Sequence, residues 1–186
     1  MSIVYGIDIG QRNLAIAKMT TVDQKNPPVI EDVFLIDLGK GKLRFQQFVK
    51  FCGQHMLETG RVLIELQPQP GRNQNISYYI LGYLEAMGHD CALVNGRTKF
   101  NVAKKLNLIT VPNKTTYIQR KEMSVDLLRM ISAILGFKLP ALEKYDDVGD
   151  ALLYALRGVY ETAPSTLVCL DKRENVLRVD ISEPAQ

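Results

Sequence analysis

The sequence predicts an α/β protein built on a mixed sheet of about five strands flanked by helices. Three observations predict it. Three short apolar runs, joined by turns containing Gly, Asn and Pro, open the chain. Two further compact apolar runs follow, each preceded by a segment whose apolar residues recur at helical spacing. The remainder is mostly helical in period.

The elements follow in order. IVYGID ends in Asp8 shortly before Gly10, LAIAKM covers 14–19, and a third run covers 29–38, which together read as an antiparallel meander. Residues 43–57 place Phe45, Phe48, Val49, Cys52 and Met56 at helical spacing. RVLIEL (61–66) is a buried strand ending near Glu65. Residues 75–87 carry Ile80, Leu81 and Leu84 on a helix closed by Gly88. CALVN (91–95) is the fifth strand. Helices over 117–135 and 146–160 follow, and a weaker strand is expected at 166–170. Crossover helices before the fourth and fifth strands make those strands parallel to the first. A chain of 186 residues fits one domain, with its core over about 1–163 and a tail over 164–186.

Composition narrows the class. Hydrophobic content of 46% and charged content of 23% are those of an ordinary globular protein. No stretch reaches the roughly 20 apolar residues of a membrane helix, and MSIVYGIDIG lacks the basic leader of a secretory signal. Cys52, Cys91 and Cys169 are odd in number and unpaired in spacing. With only His55 and His89 beside them, they point to reduced thiols in a reducing, intracellular compartment and away from zinc. Net charge is +3. Its distribution is one-sided: Arg97, Lys99, Lys104, Lys105, Lys114, Arg120 and Lys121 fall in a segment without an acid. Such a segment is a candidate phosphate-binding surface, the alternative being a merely solvated face.

Four acids carry the chemistry. Asp8 ends the first strand, Glu65 ends the fourth, and Asp147 and Asp150 open the last long helix at i and i+3, on one face. Neighbouring first and fourth strands would bring Asp8 and Glu65 together near that helix. Several carboxylates at one spot repel unless divalent cations sit between them. Oxygen donors suit magnesium, and two such ions can drive phosphodiester hydrolysis. Taken singly, Asp8 could be a turn residue and Asp147 a helix cap.

The motifs GIDIGQRN, LIELQP and DDVGDALLYAL resemble, in order and spacing, the three acidic motifs of RuvC-type Holliday-junction resolvases. The resemblance is closest to the poxvirus branch and its relatives in other large DNA viruses, with the fungal mitochondrial resolvases further away. It rests on Asp8, Ile9, Gly10 and Asn13, on Glu65 with Gln67, and on Asp147 with Asp150. It extends to about Tyr160 and implies an RNase H-like fold. It also implies a magnesium-dependent endodeoxyribonuclease, with manganese able to substitute and two ions per site, acting on four-way DNA as a homodimer. No small-molecule cofactor or membrane enters this reading. The protein would act at the viral replication site in host cytoplasm if viral, or in the mitochondrion if fungal-like.

Leu66 stands where the viral and fungal proteins usually carry arginine, and Arg72 is the later basic residue available to supply it. The resemblance offers Lys99 (in GRTKF) and Lys121 (in QRKEMSV) as catalytic lysines, the alternative for each being backbone positioning on DNA. It favours Asp147 over Asp146 as the partner of Asp150, leaving Asp146 as an N-cap. The helix face bearing Tyr78, Tyr79 and Tyr83 is a candidate dimer interface, its alternative being packing on the sheet.

Rival readings remain. Asp8-x-Gly10 also opens actin-like sugar and acetate kinases, but the second such motif and the glycine-rich adenosine loop are missing. A nuclease acting on RNA or RNA–DNA hybrid would share the same centre. A non-catalytic nucleic-acid-binding module would have no reason to bear four repelling acids.

Overall fold

The computed structural model describes residues 1–10, 12–23, 25–39, 43–67, 72–112 and 114–170, the side chains of residues 43, 72, 73 and 168 excepted. Strands β1 (Ser2–Ile9), β2 (Asn13–Thr21) and β3 (Val29–Asp37) form the antiparallel meander. Helix α1 (Leu43–His55) crosses to β4 (Arg61–Leu66), and α2 (Arg72–Ala86) crosses to β5 (Asp90–Asn95). Both later strands run parallel, β4 to β1 and β5 to β4. The sheet order is β3-β2-β1-β4-β5. The expected mixed five-stranded sheet is therefore present, with β1 at its centre.

Central position explains the composition of β1. It is buried on both faces from Ile3 to Ile9. Ile3, Tyr5, Ile7 and Ile9 join Phe48, Cys52, Ile80 and Leu84 of α1 and α2 on one face. Val4 faces the other layer, with Ala15, Ala17 and Met19 of β2. That layer holds α3 (Asn101–Lys105), α4 (Tyr117–Ile134) and α5 (Tyr145–Thr162). Thr116 starts α4 with a capping box: its hydroxyl accepts from the Gln119 amide, and the Gln119 side chain accepts in return. Gly88, expected as a helix stop, has φ +87°, and His89 N–H donates to the Leu84 carbonyl at 3.0 Å.

Two expectations need correction. Residues 166–170 are not a strand: Pro164–Leu170 form 3-10 turns. Leu167 and Leu170 are three apart, so they eclipse on one side of such a turn and both are fully buried against α4 and α5. Asp146 is not the N-cap of the last helix. Lys144 occupies that position, without a side-chain cap bond, and Asp146 lies inside the first turn.

Helix α5 decides how close the layers come. It is buried around most of its surface, from Val148 to Val159, and it lies almost in contact with the backbone of β1. Gly6 permits this, since a Cβ there would run into the Ala151 carbonyl and the Ala155 amide. Gly149 plays the same part toward α4, where a Cβ would lie 2.5 Å from the Ser124 carbonyl oxygen. Backbone atoms on both sides of Gly6 have nowhere to move. Gly6→Ala should therefore cost about 3 kcal/mol or more, the upper end of core overpacking. Gly82→Ala, in the exposed middle of α2 with open space around it, should instead stabilise by about 0.5–1 kcal/mol. Denaturant unfolding of both variants checks this, and equal small effects would contradict the close α5–β1 approach.

Candidate active site

The site forms where α5 crosses the carboxyl ends of β1 and β4. Side chains alternate along a strand, so Val4, Gly6 and Asp8 share the α5 face of β1. In the parallel register Ile7 stands opposite Ile64, so one residue on, Asp8 stands beside Glu65. The Glu65 carboxyl is close enough to act directly on that of Asp8. From above, Asp147 and Asp150 descend from the first turns of α5. All four acids named from sequence are thus drawn to one place by three elements.

Electrostatics show the strain of that gathering. Asp8 is only 7% exposed, and no cationic side chain pairs with it among the described residues. Burial pushes its carboxyl well above the usual range, helped by the nearby Glu65 carboxyl and by the charges of Glu65, Asp150 and Asp147. Burial also raises Asp150, despite Lys99 and Ser124, and raises Asp147, with the Asp146 charge next.

The neighbours offset part of this charge. Lys99 Nζ lies 2.6 Å from Asp150 Oδ2, and the Ser124 hydroxyl donates to Asp150 Oδ1 at 2.5 Å. Lys121 is paired with Asp146 and stands 3.9 Å from Asp147, while Lys144 is 3.5 Å from Asp147. Burial pushes Asp146 up, but Lys121 outweighs it and holds the carboxyl below the usual range. Gln67 Nε2 donates to Glu65 Oε2 at 2.5 Å and to the Ile9 carbonyl at 2.7 Å. Both candidate lysines therefore reach the acids, Lys99 a member of the quartet and Lys121 its neighbour Asp146. The Arg72 side chain lies outside the described residues.

Ser124 and Tyr154 were not legible as site residues. Ser124 lies three residues after Lys121, on the same helix face, which is the only sequence signal for it. Tyr154 lies four residues after Asp150 and is fully buried, where periodicity alone reads a core residue.

The donor set fits a hard divalent cation: carboxylate oxygens only, one of them buried without a countercharge. As the side chains stand, no three acids, His or Cys among the described residues are arranged to grip one ion. Lys99 and Gln67 occupy oxygens of Asp150 and Glu65 instead.

The acid cluster has a consequence for stability in the absence of metal. Asp8 holds its proton more tightly folded than unfolded. Its contribution is full below the unfolded value of about 3.9 and is lost as pH rises through the raised folded value. Asp147 and Asp150 act in the same sense. Asp37, held at about 2 by Arg12, and Asp146 act in the opposite one. Asp8→Asn removes the largest of the first kind. In chelator, the melting temperature of wild type relative to Asp8→Asn should fall as pH rises from about 4 to 7. A difference that is flat or rises with pH would contradict the crowding of Asp8.

Comparison with known proteins agrees with the fold. Fowlpox virus resolvase in complex with its substrate Holliday junction DNA matches with TM-score 0.61 at 20% identity, covering 83% of this chain and 95% of that one. A second structure of the fowlpox virus Holliday junction resolvase matches with TM-score 0.59 at 20% identity, covering 83% and 96%. RuvC from T. thermophilus, in complex with a Holliday junction substrate, matches with TM-score 0.50 at 15% identity, covering 89% and 98%. No match was found among curated protein sequences. The fold is accordingly RNase H-like, as the motifs implied. The family model described as Poxvirus A22 protein matches residues 2–162, and the chain belongs to that family.

Proposed function

We propose that this chain is a metal-dependent endonuclease that resolves four-way DNA junctions. The observation that carries the reading is the meeting of Asp8, Glu65, Asp147 and Asp150 at one buried point of an RNase H-like fold. Family membership and the junction-bound relatives support the choice of substrate.

In this reading the four acids hold magnesium, with manganese able to substitute, as two ions in each site. Bound divalent ions supply an activated water and stabilise the leaving oxygen in phosphodiester hydrolysis, which leaves a 5′-phosphate. Lys99 leaves Asp150 and turns its charge toward the scissile phosphate, where it offsets the added negative charge of the transition state. Lys121 stays with Asp146 at the rim and positions backbone phosphate. Gln67 keeps Glu65 oriented from behind.

The basic segment supplies the approach. Arg97, Lys104, Lys105, Lys114 and Arg120 are exposed, whereas Lys99 and Lys121 turn inward to the acids. Paired nicks on opposing strands need two centres, which a two-fold homodimer provides. Tyr78 and Tyr79 of α2 face solvent and Tyr83 packs on Phe48, so the candidate dimer face is reduced to the first two. Among the described residues no helix is long and apolar enough to cross a membrane. The viral replication site in host cytoplasm is the setting that fits the family.

Asp150→Asn should lower single-turnover cleavage of a labelled four-way junction by about three orders of magnitude or more, several kcal/mol of lost transition-state stabilisation. Junction binding should survive in a gel shift. Asp146→Asn should cleave within about tenfold of wild type, because its carboxylate serves Lys121. A dead Asp146→Asn beside an active Asp150→Asn would put the centre on the wrong residues. Clear preference of the wild type for RNA–DNA hybrid over junction would overturn the substrate.

The electrostatic surface gives a separate test. Replacing Lys104 and Lys105 with alanine should weaken junction binding and make the dependence of log affinity on log salt shallower by up to about two. No change in either quantity would make the segment a merely solvated face.

A further inference from the structure

Among the described residues, three buried side-chain atoms have no hydrogen-bond partner: His89 Nε2, Ser132 Oγ and the hydroxyl of Tyr154. Only the last faces the acids. Asp147, Asp150 and Tyr154 follow one another on α5 at i, i+3 and i+7, so they share a face. The phenol is fully buried. Burial first, then the charges of Glu65, Asp8 and Asp150, push its ionisation far up, so it stays a neutral O–H with a proton to give.

The backbone opposite is shaped around this hydroxyl. Gly96 follows β5, and a Cβ there would collide with Glu65 Oε1 and lie 3.5 Å from the Tyr154 hydroxyl. The Glu65 carboxyl and the phenol therefore converge over a bare glycine. Glu65 Oε2 is already held by Gln67 at 2.5 Å, which leaves Oε1 toward the phenol. The phenol lies beside Oε1 without completing a bond of good geometry. A buried hydroxyl left in that condition is unfavourable.

We propose that Tyr154 is a positioning residue for the metal centre: its hydroxyl donates to Glu65 when cations are bound among the acids. Glu65 then has a neutral donor on each oxygen, Gln67 and Tyr154, and keeps one orientation toward Asp8 and Asp150. Outer partners that orient a metal-binding carboxylate typically govern affinity by 10- to 100-fold. The proposal rests on the reading of the acids as a metal centre given above.

The test is calorimetric titration of the full chain with Mn2+, without DNA, beside melting in chelator and in Mn2+. Tyr154→Phe keeps the ring and removes only the hydroxyl. It should bind Mn2+ about 10- to 100-fold more weakly than wild type, and its melting temperature in chelator should be unchanged or higher. Tyr5→Phe is the control, because that hydroxyl donates to the Glu58 carbonyl on the opposite face of the sheet. It should leave Mn2+ affinity unchanged. Tyr154→Phe binding Mn2+ within about twofold of wild type would overturn the role. So would a large loss of melting temperature in chelator, which marks a packing residue. Wild type that takes up no Mn2+ would instead overturn the metal centre beneath it.

Discussion

The repulsion among Asp8, Glu65, Asp147 and Asp150 is the constraint around which the rest of the molecule is arranged. An acid at the end of a strand that is apolar on both faces is unfavourable unless something balances it. Here an ammonium on Asp150 and an amide on Glu65 offset part of the charge, while burial favours the neutral form of Asp8. In the function proposed above, a cation takes the place of these counterweights.

Those walls are unusually close. Gly6 lets α5 lie on the backbone of β1, Gly149 lets α4 lie on α5, and Gly96 leaves room for the Glu65 carboxyl. The three glycines belong to different elements, yet each removes a Cβ within a residue or two of the acids or directly beneath them. Close approach excludes water, and exclusion of water is what raises the buried carboxyls and strengthens every charge contact around them. Stability and chemistry draw on the same contacts here, so losing any of these glycines would damage both.

Much of this was legible in the residues. The meander and the parallel direction of β4 and β5 followed from apolar runs and crossover rules, whereas the adjacency of β1 and β4 came with the RNase H-like resemblance. The four acids were legible because a charge in such a strand, or at i and i+3 on an otherwise apolar helix, is an exception that local physics alone would not place there. What was not legible depends on crossing geometry. Ser124 meets Asp150 only because α4 passes over α5 at Gly149, and Tyr154 reads as core until the Glu65 carboxyl is placed beside it. The stretch at 166–170 misled because Thr and Val favour strands, whereas Leu167 and Leu170 are buried on one side of a 3-10 turn. Asp146 misled in a similar way. Its local sequence suits a cap, but Lys121 from a different helix claims its carboxylate.

The central claim is that the four acids form one cation-binding centre whose resident lysine gives way to metal. Anomalous diffraction from crystals of the full chain equilibrated with Mn2+ tests it most directly. The account predicts anomalous density bounded by Asp8, Glu65, Asp147 and Asp150, with Lys99 withdrawn from Asp150. Density bound instead at Asp146, or manganese located elsewhere while Lys99 remains on Asp150, would contradict it.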